Sequence, residues 1–348
     1  MAKKANTAAA GKTPFHAVVE KVQRGTISDK EIAQYFVAQP NPQKPFDFTV
    51  GLNRAAVDFQ GVEKSSKWAD ALAQDAAISR DRQARAAAPT GFQRKSPIIA
   101  EGDSWFRLPN VIMPPTLIDL LQQDDGYSIT NMAHWGDTLA EMAQAGQFWP
   151  PLVSGQADTF LFSAGGNDVL GGEEGVARFL RLFDVDHTKP SDAAYYIKPE
   201  FYDNLKVILD SYEALIQRVH VRAPDVIMLG HGYDYVIPRV AGPWIGNGMM
   251  FVGLDPTFHA GLCQAIIRIM IDAFNNALAG FAATYSNYRY VDLRGAIGKT
   301  EWRDELHPVK AGAAKTAARF DKALRKLPAS GAFAAPLIAS RAMFRRVA

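Results

Sequence analysis

The amino-acid sequence predicts an α/β protein, a parallel sheet covered by helices on both faces, with an N-terminal helical extension. Two observations carry this expectation. From about residue 96 onward, short apolar runs alternate with longer helical stretches, the pattern of strand–helix–strand units. With 48% hydrophobic and 21% charged residues among 348, the chain can bury one substantial core and carry an appendage.

In order along the chain, residues 1–14 read as disordered. Ser28 and Glu31 have the spacing of a capping box before Ile32, Tyr35 and Phe36, so a short helix is expected to start there and to be broken by Gln39 through Pro45. Residues 52–87 are alanine-rich and charged, and read as one or two helices. Ala88-Pro89-Thr90-Gly91 marks a boundary. This gives an extension over 1–92, a main domain over 93–327 and a basic C-terminal tail over 328–348. In the main domain, strands are expected at 96–101, 127–132, 158–163, 225–230 and 288–293. Helices are expected near 115–123, 137–147, 174–183, 200–221, 256–284 and 309–325. Five such strands suit a flavodoxin-like, three-layer α/β/α sheet of order 2-1-3-4-5. Residues 184–199 and 236–255 are additions to that core.

The chemistry lies at the strand ends. Gly102-Asp103-Ser104 follows the apolar run Ile98-Ile99-Ala100, at the edge where open α/β sheets bind ligands. Near the C-terminus the chain reads Asp304-Glu305-Leu306-His307-Pro308. A carboxylate three residues before a histidine can hold Nδ1–H and leave Nε2 free. Ser104, His307 and Asp304 thus read as a nucleophile, its base and the carboxylate that fixes the tautomer, which makes acyl-ester hydrolysis the leading expectation. Gly136, after the second strand, can offer an unobstructed N–H. Asn167, after Gly165 and Gly166, can offer a carboxamide donor to an oxyanion. Each residue also has an ordinary reading: turn chemistry at Gly102 and Asp103, a helix N-cap at Ser104 or Asp304, a plain loop at Asn167 and Asp168. Those readings do not explain why all of them fall at successive strand ends.

In these blocks the chain resembles the SGNH hydrolase superfamily, the GDSL lipases and esterases. Gly102-Asp103-Ser104-Trp105 matches its G-D-S-(L) block, Gly136 its second, Gly165-Gly166-Asn167-Asp168 its G-x-N-D block, and Asp304 through Pro308 its D-x-x-H block followed by proline. Trp105 departs from the common leucine. The resemblance spans roughly residues 96–325. It implies Ser104, His307 and Asp304 as the triad, and an oxyanion hole from the Ser104 and Gly136 amides and the Asn167 side chain. It implies a serine esterase or lipase that works through an acyl-enzyme on a carboxylic ester, a lipid ester or thioester included. A carbohydrate O-acetylesterase and a non-catalytic binding protein of the same fold are the alternatives.

Trp105, His134, His231 and Trp244 are further candidates for substrate contact, although a structural hydrogen-bonding role suits the two histidines better. The loop 236–255, with Trp244, Ile245, Met249, Met250 and Phe251, reads equally as a lid or acyl-chain wall and as a packing loop. No H-E-x-x-H, paired-cysteine or phosphate-loop pattern occurs, so no metal, cofactor or nucleic acid is expected. The single cysteine, Cys263, forms no internal disulfide. The net charge of +2 is uneven. Residues 1–95 carry 15 Lys and Arg against 9 Asp and Glu, and residues 326–348 carry four basic residues and no acid, which leaves −8 for the middle. The basic ends read as solvated tails, with contact to an anionic lipid surface as the other reading. No segment reads as long and apolar enough to span a membrane, and the start lacks a sustained apolar run. A cytoplasmic protein, or one exported without a Sec-type signal, is therefore expected.

Overall fold

The computed structural model describes residues 12–24, 26–41, 48–59, 97–109, 113–171 and 174–327. The boundary at 88–91, the tail 328–348 and most of the alanine-rich stretch (60–87) lie outside the described residues. The chain divides into two compact units.

The first unit contains β1 (Thr13–Pro14), α1 (Phe15–Gln23), α2 (Asp29–Tyr35), β2 (Phe36–Pro40), β3 (Phe48–Leu52) and β4 (Val57–Asp58). Ser28 caps α2 as its spacing predicts: its hydroxyl accepts from the Glu31 N–H, and the Glu31 carboxylate accepts from the Ser28 N–H. The helix stops because Phe36 turns extended, and Phe36–Pro40 then pairs antiparallel with Phe48–Leu52. Phe48, Val50 and Leu52 alternate inward on β3, a period of two that a helical reading of the extension passes over. Thr13 and Pro14, expected to be disordered, pair in parallel with Val57 and Asp58. Val18, Ile32, Phe36 and Val57 centre a small core of this unit.

The second unit is the expected doubly wound sheet. Its elements are β5 (Ile98–Gly102), α3 (Leu117–Gln123), β6 (Ile129–Asn131), α4 (Leu139–Ala145), α5 (Trp149–Val153), β7 (Thr159–Ser163), α6 (Gly166–Leu170), α7 (Ala193–Tyr196), α8 (Pro199–Arg222), β8 (Ile227–His231), α9 (Gly246–Phe251), α10 (Ala260–Thr284), β9 (Tyr288–Val291) and α11 (Lys310–Leu324). The strands lie in the order β6-β5-β7-β8-β9, all parallel, which is the order 2-1-3-4-5. Every residue of β5, β7 and β8 is buried, as a parallel sheet covered on both faces requires. β5 lies between β6 and β7, so the chain reversal in strand order sits at its C-terminal end, where Ser104 follows.

Two local expectations change. Residues 174–183 form only a 3-10 turn over Gly175–Phe179, because Leu180 leaves it to bridge to Ile197. Among the described residues α10 reaches the length and apolarity of a membrane-crossing helix, which the sequence reading did not anticipate. Its Leu262, Ile266, Phe274, Leu278 and Phe281 are buried in the fold, so core packing accounts for much of that apolarity.

Candidate active site

The turn after β5 is shaped by crowding. A Cβ on Gly102 would lie 2.7 Å from the Ser163 Cβ and 2.9 Å from its carbonyl oxygen, so only glycine lets β5 leave the sheet this close to β7. Asp103 is buried and holds the turn together. Its Oδ1 accepts from the Trp105 N–H at 3.0 Å and the Ser163 hydroxyl at 2.8 Å, and its Oδ2 accepts from the Tyr233 hydroxyl. Burial pushes the Asp103 carboxyl up, and the bonds from Tyr233, Trp105 and Ser163 pull it back. Phe106 and Arg107 N–H groups return to the Asp103 carbonyl, closing a helical turn that presents Ser104 at its start.

The hydroxyl of Ser104 meets the His307 ring. His307 Nε2 lies 2.9 Å from Ser104 Oγ, and Nδ1 lies 2.9 and 3.0 Å from the two Asp304 oxygens. Asp304 Oδ1 also accepts from the backbone N–H groups of Leu306 and His307, at 2.9 and 2.8 Å. Burial works to raise the Asp304 carboxyl, but the charge and hydrogen bond of His307 and those two amides hold it down at about 2. It therefore stays ionised at neutral pH and fixes the imidazole with Nδ1–H inward and Nε2 toward Ser104. A hydroxyl, imidazole and carboxylate in this chain can activate the hydroxyl as a nucleophile.

The other side of the site is assembled by the turns after β6 and β7. His134 N–H donates to the Gly102 carbonyl, which holds the turn carrying Gly136 alongside the Ser104 turn. Gly136 has φ 83°, a conformation that glycine adopts without strain. Among the described residues neither the Ser104 nor the Gly136 N–H has an acceptor. Asn167 Nδ2 donates one hydrogen to the Asp137 carbonyl at 2.8 Å, which ties it to the Gly136 turn and leaves its second hydrogen for a ligand. Two residues that the sequence reading left without a role complete this side. Tyr233, just beyond β8, donates to Asp103 and accepts from the Gly166 N–H at 2.9 Å, linking the two glycine-containing turns. Asp168 accepts from the Leu139 N–H at 3.0 Å and so caps α4. The signal for Tyr233 was its place at a strand end on the same sheet edge.

The sequence pattern of the GDSL-like Lipase/Acylhydrolase family matches residues 102–315, which contain all of these positions. The chain belongs to the GDSL-like lipase/acylhydrolase family. Among solved structures, the trace is similar to a lipase from a goat rumen metagenome, at 12% identity and TM-score 0.43 over 66% of this chain and 97% of that one. It is also similar to phospholipase A1 from Streptomyces albidoflavus, at 16% identity and TM-score 0.43 over 65% and 98% of the two chains. For the extracellular lipase of Streptomyces rimosus the values are 15% identity and TM-score 0.43 over 66% and 99% of the two chains. No curated protein matches the chain.

In this member of the family, a cavity open to solvent begins at Ser104 and Asn167. Its walls are Val169 and Leu170 of α6, Phe201 of α8, Ile267, Met270, Ile271 and Phe274 of α10, with Val236, Ile245 and Leu306. Trp105, a candidate for substrate contact, lines it. The other three candidates do not. His231 is fully buried behind Trp105, among the rings of Phe106, Phe320 and Tyr233, with Nδ1 on the Gly232 carbonyl at 2.7 Å. Burial lowers its pKa to about 4, so it is a neutral core histidine. His134 stacks on Trp135 and bonds the Trp135 carbonyl at 2.8 Å, away from the cavity wall. Trp244 is buried with its ring edge-on to His307, 6.4 Å between centroids, and does not line the cavity. In the 236–255 loop Met249 is buried, Phe251 is 76% exposed, and only Val236 and Ile245 wall the cavity, whose larger side is α10. Among the described residues no group of His, Cys, Asp or Glu side chains could hold a metal ion.

Proposed function

We propose that the protein is a serine hydrolase of carboxylic esters with an apolar acyl chain. The observation that carries this reading is the 2.9 Å approach of His307 Nε2 to Ser104 Oγ at the mouth of an apolar cavity. In the proposed reaction Ser104 Oγ attacks the ester carbonyl as its proton passes to Nε2. The Ser104 and Gly136 amides and the Asn167 carboxamide face the oxyanion that forms. His307 then gives the proton to the departing alcohol oxygen, leaving an ester on Ser104. A water, deprotonated by the same Nε2, attacks that ester and releases the carboxylic acid, with the proton returned to Ser104. Asp304 stays ionised throughout and stabilises the imidazolium.

The lining favours an acyl chain over an acetylated sugar, because Leu170, Phe201, Met270 and Phe274 offer burial and no hydroxyl partners. Each methylene buried there contributes ~0.8 kcal/mol. Rates on p-nitrophenyl esters are expected to rise from acetate over the first several carbons, and Met270→Trp, which narrows the cavity, to move the optimum to shorter chains. A steady decline from acetate onward in the wild type would favour the O-acetylesterase reading instead.

A further inference from the structure

Glu305 lies inside the Asp304–His307 segment, and its carboxyl group bonds the backbone of the 236–255 loop. Its side chain is 1% exposed. Oε1 accepts from the backbone N–H groups of Arg239 and Gly246, at 2.9 and 2.7 Å, and Oε2 from those of Trp244 and Ile245, both at 3.0 Å. Its own carbonyl accepts from the Ile237 N–H at 3.3 Å. Among the described residues no lysine or arginine side chain pairs with this carboxyl group, whose two oxygens are held by four backbone amides of one loop. The glycines of that loop are fitted to it. A Cβ on Gly242 would lie 2.1 Å from the Glu305 carboxyl carbon, and one on Gly246 1.7 Å from the Arg239 carbonyl oxygen.

The loop so gripped is the part of 236–255 that reaches the cavity. Ile245, whose N–H Glu305 holds, lines it, as do Val236 and Leu306 on either side of the contact. Trp244, held by the same oxygen, stands against His307. Base and cavity wall are therefore joined through one carboxylate.

We propose that Glu305 is a specificity-determining positioning residue, which fixes the Ile245 wall of the acyl cavity to the segment carrying the base. This rests on the acyl-hydrolase reading above. A clamp that only supported folding would change the fraction of active protein, and with it the rates on all esters equally. A clamp that sets the wall changes discrimination between chain lengths.

The test compares kcat and KM on acetate and octanoate p-nitrophenyl esters, with active sites counted by fluorophosphonate labelling. In Glu305→Gln one oxygen becomes an NH2 group that faces amide donors, so two loop N–H groups lose their acceptor. The octanoate-to-acetate ratio of kcat/KM is expected to fall by about tenfold or more, the discrimination that one or two methylenes carry in an apolar pocket, chiefly through KM for octanoate. Ile245→Ala should flatten the ratio likewise, and the double variant should add little to either, since both act on one wall. If Glu305→Gln does not fold, Gly242→Ala, which displaces the carboxylate, is read in the same assay. Equal losses on both esters, or full additivity in the double variant, would overturn the assignment. A wild type that hydrolyses no ester overturns the acyl-hydrolase reading and this assignment with it, whereas a wild-type preference that neither Glu305→Gln nor Gly242→Ala alters overturns the assignment alone.

Discussion

At the scale of single residues, Asp304 does two jobs with one carboxylate: it shapes its own turn through the Leu306 and His307 amides and orients the His307 ring. Asp304→Asn can keep the turn yet offer the ring an NH2 group, which permits the wrong tautomer. The expected loss in kcat is about 10⁴-fold, by analogy with other Ser–His–Asp systems. Asn167→Ala removes one proposed oxyanion donor and should cost about 100- to 1000-fold in kcat with little change in KM. Steady-state kinetics on one activated ester reads both, and near wild-type turnover in either variant would count against its role. The contacts among Ser104, His307 and Asp304 were legible because Ser104 directly follows β5 and Asp304 stands three residues before His307, as Asn167 was from its place just after β7. Tyr233 and Glu305 were not, because each acts on backbone amides distant in sequence, and no spacing within the chain announces such a partner.

At the scale of elements, the five strands and the long helices were legible from apolar runs and helical stretches, while short helices were obscured by residues that usually break them. α5 begins Trp149-Pro150-Pro151, and prolines fit a first turn, whose N–H groups need no intrahelical acceptor. α6 starts on two glycines because Gly165 has φ 105° and a Cβ on Gly166 would lie 2.7 Å from the Tyr233 ring. The end of β5 carries its own pH response. Glu101 is buried, and burial first, with the charge of Asp137 adding, pushes its carboxyl up from 4.5 to about 8, against the hydrogen bond from Gly102. Between those values the folded state binds more protons than the unfolded one, so this contribution to stability is full below about pH 4.5 and is lost as pH rises through about 8. Glu101→Gln is always neutral and escapes that loss. Its stability relative to wild type should therefore rise between pH 5 and pH 8 in urea melts, and parallel pH profiles would show that Glu101 is ionised in the folded state.

At the scale of the whole molecule, the order of the sheet puts the ends of β5, β6 and β7 side by side, so residues far apart in the chain meet at one edge. The sequence reading reached this arrangement through the 2-1-3-4-5 order. It missed the source of the cavity wall, because a long apolar helix such as α10 looks the same whether its face meets the core or a ligand. The central claim is that Ser104 is the nucleophile of an acyl hydrolase. Its most direct test is reaction of the full-length protein with a fluorophosphonate, followed by mass mapping of the modified residue. The account predicts one adduct, on Ser104, formed in parallel with loss of esterase activity and absent from Ser104→Ala. An unmodified Ser104, or an adduct on another residue that accompanies the loss of activity, would contradict it.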